Sequence, residues 1–138
     1  MPFLLFTNRI DIRQLSLTSS LQVTSQGTHQ LYTTLVRDIP NAIALDYSLR
    51  DGVIFWTDLD LRHVMRATLN GSEAQVLVTT GLEKPGGLAA DWIHRKLFWT
   101  DAGRARVEVS DFEGRMRRTI VHQDIDKPRA IAVHPALG

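Results

Sequence analysis

Phe55-Trp56-Thr57-Asp58 recurs as Phe98-Trp99-Thr100-Asp101, and this repetition decides the fold. The two copies lie 43 residues apart. Two further landmarks repeat at the same spacing: Asn70-Gly71 with Glu113-Gly114, and Lys84-Pro85-Gly86-Gly87 with Lys127-Pro128-Arg129-Ala130. Three independent features in one register indicate a tandem structural repeat, and a period of this length is typical of propellers and solenoids.

Each repeat contains four short segments with strand character, separated by Gly, Pro or Asp-rich turns. The predicted first strands are Ala42 to Tyr47, Gly87 to Trp92 and Ala130 to His134, and the second strands are Val53 to Thr57 and Leu97 to Thr100. The third strands are Val64 to Leu69 and Arg106 to Phe112, and the fourth are Gln75 to Val78 and Thr119 to His122. Four strands in about 40–45 residues form one blade of a β-propeller. The second strands are continuous apolar runs, which predicts that both of their faces pack against neighbouring blades.

The whole chain, residues 1–138, is therefore predicted to be an all-β, incomplete β-propeller. Residues 3–36 form a partial first blade, 41–79 and 86–122 form two complete four-stranded blades, and 129–138 supply the first strand of another. The segment from Thr18 to Gln30 is rich in Ser, Thr and Gln and is predicted to be a long loop within the first blade.

Composition excludes several classes of site. The chain has no cysteine, so a disulfide framework, a thiolate zinc site and a cysteine nucleophile are excluded. The net charge is +1, with acids and bases interspersed, which gives no electrostatic case for a nucleic-acid partner. The first residues do not have the pattern of a signal peptide, and no apolar stretch approaches the roughly 20 residues of a membrane span. Any secretion signal or membrane anchor is expected outside these residues.

The carboxylates have structural explanations that are simpler than catalysis. Asp58 and Asp101 end the second strands and are expected to be structural, because buried carboxylates persist only when they are paired. Asp46 and Asp91, with His134 in the third copy, are predicted to form turns after the first strands. The sequence has no nucleophile elbow, phosphate-binding glycine loop or metal-binding histidine pair. We expect a protein that is not an enzyme and needs no cofactor or metal.

Three further features permit a function but have ordinary structural explanations. His63 is the best candidate for a pH switch that controls ligand release, although an exposed histidine without a role is the simpler interpretation. Arg115, Arg117 and Arg118 form a predicted basic cluster that suits either a heparan-sulfate contact or a charged strand edge. Asn70 begins an N-glycosylation sequon on a hairpin turn.

The repeated motifs resemble the class B, or YWTD, repeat of the low-density lipoprotein receptor-related family. They are Phe-Trp-Thr-Asp, the run from Gly87 to Trp92, and the run from Lys127 to Ala132. The resemblance implies a six-bladed, protein-binding propeller of a cell-surface receptor, of endocytic or Wnt-pathway-regulating type. It implies that Asp58 and Asp101 hydrogen-bond within and between blades. It also implies a place on the extracellular side of the plasma membrane, beside epidermal-growth-factor-like modules and the remaining blades.

The resemblance also implies where ligands bind. The family binds protein partners on the rim formed by loops that enter the first strands and leave the second strands. Carried over by position, this rim holds Arg9, Asn41, Leu59, Asp60, Arg62, Lys84, Gly86, Gly103 and Arg129. The likeness is greatest to the agrin co-receptor of the family, which implies agrin-like or Wnt-pathway-regulating ligands. The Wnt co-receptors carry acidic residues at Asn41, Gly86 and Gly103, which argues against direct Wnt-type or Dickkopf-type binding.

Two alternatives differ in class. The first is a secreted basement-membrane propeller of the nidogen kind, which is structural. The second is a calcium-dependent propeller enzyme, which requires acids and Asn side chains that converge on the central channel. The first strands instead supply apolar side chains: Ile43, Leu45, Leu88, Ala90, Ile131 and Val133.

Overall fold

The computed structural model describes residues 3–16, 21–24, 27–30, 32–69 and 74–137. These residues form thirteen β-strands, a short 3₁₀ turn at Pro135–Leu137 and no α-helix. The strands make three sheets of three or four antiparallel strands each, and one separate two-stranded hairpin.

The three larger sheets are consecutive along the chain, and we call them blades 1, 2 and 3. Blade 1 contains β1 (Phe3–Thr7), β2 (Ile12–Ser16) and β5 (Tyr32–Val36). Blade 2 contains β6 (Ala42–Ser48), β7 (Val53–Asp58), β8 (His63–Thr68) and β9 (Gln75–Val78). Blade 3 contains β10 (Pro85–Asp91), β11 (Lys96–Asp101), β12 (Arg106–Asp111) and β13 (Arg118–Val121). The strands of blades 2 and 3 pair in sequence order, as the four-strand repeat predicts.

The core lies between the blades, and β7 is covered on both faces. Alternate side chains of a strand point to opposite faces of its sheet. Trp56 therefore packs in a cluster with Ile12 and Val36 of blade 1. Phe55 packs in a second cluster with blade 3, where the centroids of the Phe55 and Phe112 rings are 4.8 Å apart. All six residues of β7 are buried, which confirms the packing that its continuous apolar sequence predicted.

The threonine of each Phe-Trp-Thr-Asp motif connects one blade to the next. The Thr57 hydroxyl accepts a hydrogen bond from the Ala44 N–H (3.2 Å) and donates one to the Gly86 carbonyl of blade 3 (2.9 Å). The Thr100 hydroxyl accepts from the Gly87 N–H and donates to the Arg129 carbonyl. Each threonine thus joins the first strand of its own blade to the segment that follows the blade.

Two parts of the sequence interpretation are wrong. Ala130 to His134, predicted as a first strand, forms no strand, because no neighbouring segment of the described chain offers it a ladder of backbone hydrogen bonds. The segment does lie beside β10: a methyl group on Gly87 would be 1.9 Å from the Arg129 carbonyl oxygen. The predicted loop from Thr18 to Gln30 contains the separate hairpin, β3 (Leu21–Thr24) and β4 (Gly27–Gln30).

The equivalence drawn between Asp46 and Asp91 is also wrong. Leu45 pairs with Trp56, and Leu88 pairs with Trp99, so the residue that corresponds to Asp91 is Ser48. The Ser48 hydroxyl donates to the Asp51 carboxylate and accepts from the Asp51 N–H, so Ser48 begins the turn in blade 2.

Asp46 instead connects two blades. Its Oδ2 accepts a hydrogen bond from the Ala90 N–H of blade 3 (2.7 Å), and its Oδ1 accepts from the Tyr47 N–H (2.8 Å). Asp91 does form a turn, as predicted, because its carboxylate accepts from the Ile93 and His94 N–H groups.

Candidate functional site

One edge of the three blades carries all the loops that were predicted to bind a ligand. We call this edge the rim. It consists of the turns at 8–11, 59–62 and 102–105, the loops at 37–41 and 79–84 that lead into first strands, and residues 122–129. Eight of the nine predicted rim residues lie in these segments, and Gly86 is the second residue of β10.

Backbone hydrogen bonds join neighbouring rim segments. The Ile39 and Ala42 N–H groups donate to the Ile10 and Arg9 carbonyls, at 2.9 and 2.6 Å. The Leu59 N–H donates to the Asn41 carbonyl at 3.0 Å. In blade 3 the Ala102 N–H donates to the Lys84 carbonyl at the same distance. Together with the threonine bridges, these bonds hold the rim as one connected surface.

The strand-end carboxylates hold the rim turns in place. Asp101 Oδ1 accepts hydrogen bonds from the Lys84, Gly103 and Arg104 N–H groups, and Oδ2 accepts from the Glu83 N–H, all at 2.8–3.1 Å. This carboxylate is fully buried. It therefore fixes both the loop that enters blade 3 and the turn that leaves β11, a structural role that agrees with the prediction.

Asp58 plays the same part in blade 2 with fewer bonds. Its Oδ1 accepts from the Asp60 and Leu61 N–H groups at 3.0 Å. The residue that corresponds to Glu83 is Pro40, which has no N–H to donate. In blade 2 the side chain of Asn41 supplies a different hydrogen bond between the loop and the turn: its Nδ2 donates to Asp60 Oδ1 at 3.1 Å.

The predicted rim residues differ in exposure, and the structure corrects one of them. Six are exposed: Arg9, Asp60, Arg62, Lys84, Gly103 and Arg129. Leu59 and Gly86 are half-buried, and the Gly86 carbonyl is engaged by Thr57. Asn41 is only 8% exposed, so it supports the loop and presents little surface to a ligand. Its Oδ1 is buried and has no hydrogen-bond partner within the described residues.

Three further cations on the rim were not singled out from the sequence. Arg37 is exposed in the loop that leads into β6, Arg104 is exposed in the turn that Asp101 holds, and Lys127 is exposed in the loop after β13. Lys127 lies 43 residues after Lys84, so the period alone could have identified it. Arg104 has no such signal, because the corresponding residue in blade 2 is Leu61.

The predicted basic cluster does not exist as a unit. Arg117 donates to both oxygens of the buried Glu108 carboxylate, at 3.0 and 2.9 Å, and to the Thr80 carbonyl. Its guanidinium also lies 5.7 Å from the centre of the Trp99 ring. Arg117 is therefore a structural residue, whereas Arg115 and Arg118 are exposed. Its role has no signal in the sequence, because it depends on contacts between distant segments.

Other candidate features do not add to the rim. His63 was expected to be exposed, but it is half-buried at the start of β8, and its Nδ1 has no hydrogen-bond partner within the described part of the chain. Asn70 lies outside the described residues, so its glycosylation stays a prediction. Across the described residues, no group of three or more His, Cys, Asp or Glu side chains could hold a metal ion. In the same residues, no helix is both long and apolar enough to cross a membrane.

A cleft of about 640 Å³ lies beside the first strands, away from the rim. It is lined mainly by apolar side chains such as Leu45, Leu88, Trp92 and Ile131. Asp46 also lines it, and desolvation by partial burial raises the pKa of this carboxyl above 3.8, against the opposing effect of its hydrogen bonds. No second acid lines the cleft, so the described residues offer no acid pair for general acid–base chemistry there.

Comparison with protein families gives a specific match. The model of the family described as low-density lipoprotein receptor repeat class B matches residues 52–92 and 95–135. Mouse low-density lipoprotein receptor-related protein 5 is 43% identical over 140 residues, which covers 99% of this chain and 8% of that protein. Human low-density lipoprotein receptor-related protein 4 is 50% identical over 96 residues, which covers 70% of this chain and 4% of that protein. The chain thus spans a small part of these relatives.

Solved structures support the same architecture. A chain in the crystal structure of a nidogen/laminin complex superposes with a TM-score of 0.84 and is 30% identical, covering 99% of this chain and 50% of that one. A regucalcin from Agrobacterium tumefaciens, titled a calcium-binding protein, superposes with a TM-score of 0.60 at 16% identity, which shows the fold alone. The predicted fold class, an all-β partial propeller, is confirmed.

Proposed function

Because the chain belongs to the low-density lipoprotein receptor class B repeat family, we propose that it is a receptor module that binds extracellular protein ligands through its rim. The observation that carries this proposal is the contrast within the rim itself. The backbone and the strand-end carboxylates are fixed by hydrogen bonds, whereas Arg9, Lys84 and Arg129 extend into solvent. Loops held on a rigid scaffold are the usual site of recognition.

We propose binding and not catalysis. A general acid or base must reach the atoms that react, with a suitable partner beside it. The two carboxylate oxygens of Asp101 instead accept hydrogen bonds from four backbone N–H groups. Asp58 holds a turn through hydrogen bonds of the same kind. The apolar lining of the cleft beside the first strands also suits packing better than chemistry.

The ligands that the family resemblance implies are agrin-like proteins or regulators of the Wnt pathway. The module would then act on the extracellular side of the plasma membrane, as part of a longer receptor of signalling or endocytic type. The relatives at 43% and 50% identity, both named as receptor-related proteins, support this setting.

A binding experiment tests the proposal. The purified chain is immobilised, and an agrin fragment is passed over it in a biosensor. We expect saturable binding that Arg129→Ala weakens by at least about tenfold, because truncating an anchor of this kind often costs about 2 kcal/mol. Arg50→Ala, an exposed change in the turn between β6 and β7, is the matched control and should bind normally. Equal loss in both variants would contradict a rim site.

A second function has an observation in its favour. The nidogen chain covers nearly all of this chain at 30% identity, and it was solved in a complex with laminin. Laminin is therefore the second analyte in the same biosensor experiment. Binding of laminin but not agrin, with the same dependence on Arg129, would favour a structural basement-membrane module.

A further inference from the structure

We propose that two copies of this chain assemble head to tail into one closed ring, in which each copy completes blade 1 of the other. The exchanged strand is the segment from Ala130 to His134, which pairs with β1 of the second copy. The ring then contains six blades, three from each copy. This inference goes beyond the proposed function and does not depend on ligand binding at the rim.

Blade 1 has a free strand edge. Among the described residues it contains three strands, whereas blades 2 and 3 contain four. β1 pairs with β2 as β7 pairs with β8, and it contacts β6 of the next blade as β7 contacts β10. β1 therefore holds the position of a second strand, and no first strand of the described chain pairs with its other edge. An unpaired edge of this kind is a template for a strand from another chain.

The segment from Ala130 to His134 is the complementary element. It lies 43 residues after Gly87 to Asp91, which belong to the first strand of blade 3. Ile131 and Val133 line the same cleft as the first strands β6 and β10, so the segment continues that row of strands. The described residues that follow it form a 3₁₀ turn and not a second strand. A strand from another copy can therefore take the second-strand position beside it.

The repeat predicts the register of this pairing. Ala90 of β10 pairs with Leu97 of β11. Val133 lies 43 residues after Ala90. Leu4 precedes the threonine of β1 by three residues, as Leu97 precedes that of β11. Val133 of one copy should therefore face Leu4 of the other. The Ala90 N–H points away from β11, to Asp46 of β6, which marks a non-hydrogen-bonded pair, the kind in which side chains lie closest.

The two end faces of the chain match the halves of a junction that already exists inside it. Phe55 of blade 2 packs in one cluster with Trp99 of blade 3, and both side chains are fully buried. The counterpart of Phe55 on blade 3 is Phe98, which is half-buried. The counterpart of Trp99 on blade 1 is Phe6, which is also half-buried, and Leu4 beside it is 48% exposed. Contact between blade 3 of one copy and blade 1 of the other would bury these side chains in the same way.

The size of the chain suits a closed ring of two copies. Its three blades cover 50% of the nidogen chain and 50% of the regucalcin chain, so two copies equal the length of either propeller. Head-to-tail contacts form a ring when their rotations add up to a full turn, and an open filament when they do not. Three blades of a six-bladed ring make half a turn, so two copies close through two identical junctions.

Disulfide trapping tests the exchange, because the chain has no cysteine of its own. Chains with Leu4→Cys and chains with Val133→Cys are refolded together, oxidised and separated by non-reducing electrophoresis. We expect a covalent species of twice the chain mass, because side chains paired across two strands lie within reach of a disulfide. Either variant alone should remain a single chain, since the two copies of one position lie at separate junctions. The matched control replaces Leu4→Cys by Ile10→Cys, an exposed apolar residue at the rim end of blade 1, and should give no covalent dimer.

The double variant Leu4→Cys/Val133→Cys tests closure. A ring predicts that its covalent products stop at the dimer. A ladder of trimers and larger species would overturn the ring in favour of an open filament. A disulfide confined to single chains would also overturn the proposal, because the segment would then pair with β1 of its own chain.

Sedimentation velocity measures what the exchanged strand contributes. Ala132 lies between two positions that make non-hydrogen-bonded pairs, so its N–H should donate to β1 of the other copy. Ala132→Pro should raise the dissociation constant of the dimer by at least about tenfold, because the bond is lost at two junctions. Ala132→Ser keeps the N–H and should dimerise like the parent. A parent chain that stays monomeric would overturn the proposal, and so would a dimer that neither forms the disulfide nor weakens in Ala132→Pro.

Discussion

At the scale of single residues, the threonine of the repeated motif has a role that its chemistry explains. Its hydroxyl both accepts and donates, so one buried atom can satisfy an N–H on one strand and a carbonyl on the next. Thr57 and Thr100 each do this, and both are buried. Valine has nearly the same shape but no hydroxyl, so it could not take this position without leaving two backbone groups unpaired.

We therefore predict that Thr57→Val lowers the free energy of unfolding by about 1–3 kcal/mol, because the Ala44 N–H and the Gly86 carbonyl lose the partner between them. Urea unfolding followed by tryptophan fluorescence measures the change. Thr57→Ser, which keeps the hydroxyl, is the control and should lose less than half as much. A valine variant as stable as the parent would show that these hydrogen bonds contribute little.

Asp46 gives a pH-dependent prediction. Desolvation raises its pKa in the folded protein above 3.8, despite hydrogen bonds from Ala90 and Tyr47 that act the other way. The folded state therefore binds a proton at Asp46 more readily than the unfolded state does. The contribution of this group to stability is fully present below its unfolded pKa and is lost as the pH rises through the folded pKa. Asp46→Asn cannot titrate, so we expect its stability relative to the parent to fall as the pH is lowered from neutral towards about 4.

Asp91 is the matched control because its shift has the opposite sign. Desolvation by burial raises the pKa of Asp91. Hydrogen bonds from the backbone and side chain of His94, the charge of His94 and a bond from the Ile93 N–H outweigh that effect and hold the pKa below 3.8. Its stabilisation is present above the unfolded pKa and is lost as the pH falls through the folded one. As the pH falls below about 5, the stability deficit of Asp91→Asn should therefore shrink, whereas that of Asp46→Asn should grow. Parallel curves for the two variants in urea unfolding would contradict this assignment.

At the scale of elements, the strands of blades 2 and 3 could be predicted because their period, turns and apolar runs are local features of the sequence. β7 and β11 were expected at 53–57 and 97–100 and occur at Val53–Asp58 and Lys96–Asp101. Ala130 to His134 has the composition of a first strand but lacks a paired neighbour in the described chain, and composition cannot supply one. The hairpin of β3 and β4 was missed because its polar residues resemble those of a loop.

Interactions between elements were harder to predict than the elements. Arg117 on the segment before β13 meets Glu108 of β12 and the loop before β10, and no spacing in the sequence indicates that meeting. We predict that Arg117→Ala lowers the free energy of unfolding by about 3 kcal/mol, because it leaves the Glu108 carboxylate buried without its charge partner. Urea unfolding measures the loss.

A double variant distinguishes the charge effect from lost packing on Trp99. Arg117→Met with Glu108→Gln removes both charges and retains most of the volume beside the ring. We expect it to be more stable than Arg117→Ala. If the two variants were equally unstable, the stacking of Arg117 on Trp99, and not the ion pair, would account for the effect.

At the scale of the whole molecule, the position of the rim could be inferred from the family resemblance, but the burial and the bonding of its side chains could not. The resemblance placed nine residues on one edge, and the structure places them there. It could not show that Asn41 is buried and that its side chain donates to Asp60. Pro40 has no N–H to donate to Asp58, and the effect of that loss on its neighbours is seen only in the folded structure. Nor could it show which cations are paired within the fold.

The face of blade 3 that points away from blade 2 is apolar and only partly covered. Phe55 and Val64 of blade 2 are fully buried because blade 3 covers them. The corresponding residues of blade 3, Phe98 and Val107, are half-buried, and Val121 is 38% exposed. A contiguous apolar face of this kind promotes association when no other blade covers it. We predict that the purified 138-residue chain associates as its concentration is raised.

Sedimentation velocity of the parent chain and of Phe98→Glu provides the measurement. A charge at this position cannot be buried without a large desolvation cost, so the variant should sediment as a monomer where the parent forms larger species. Leu61→Glu is the control, because it makes the same kind of change at an exposed leucine on the rim and should leave the association intact. A parent chain that stays monomeric throughout, with a single cooperative melting transition, would show that the three blades are stable without a cover on this face.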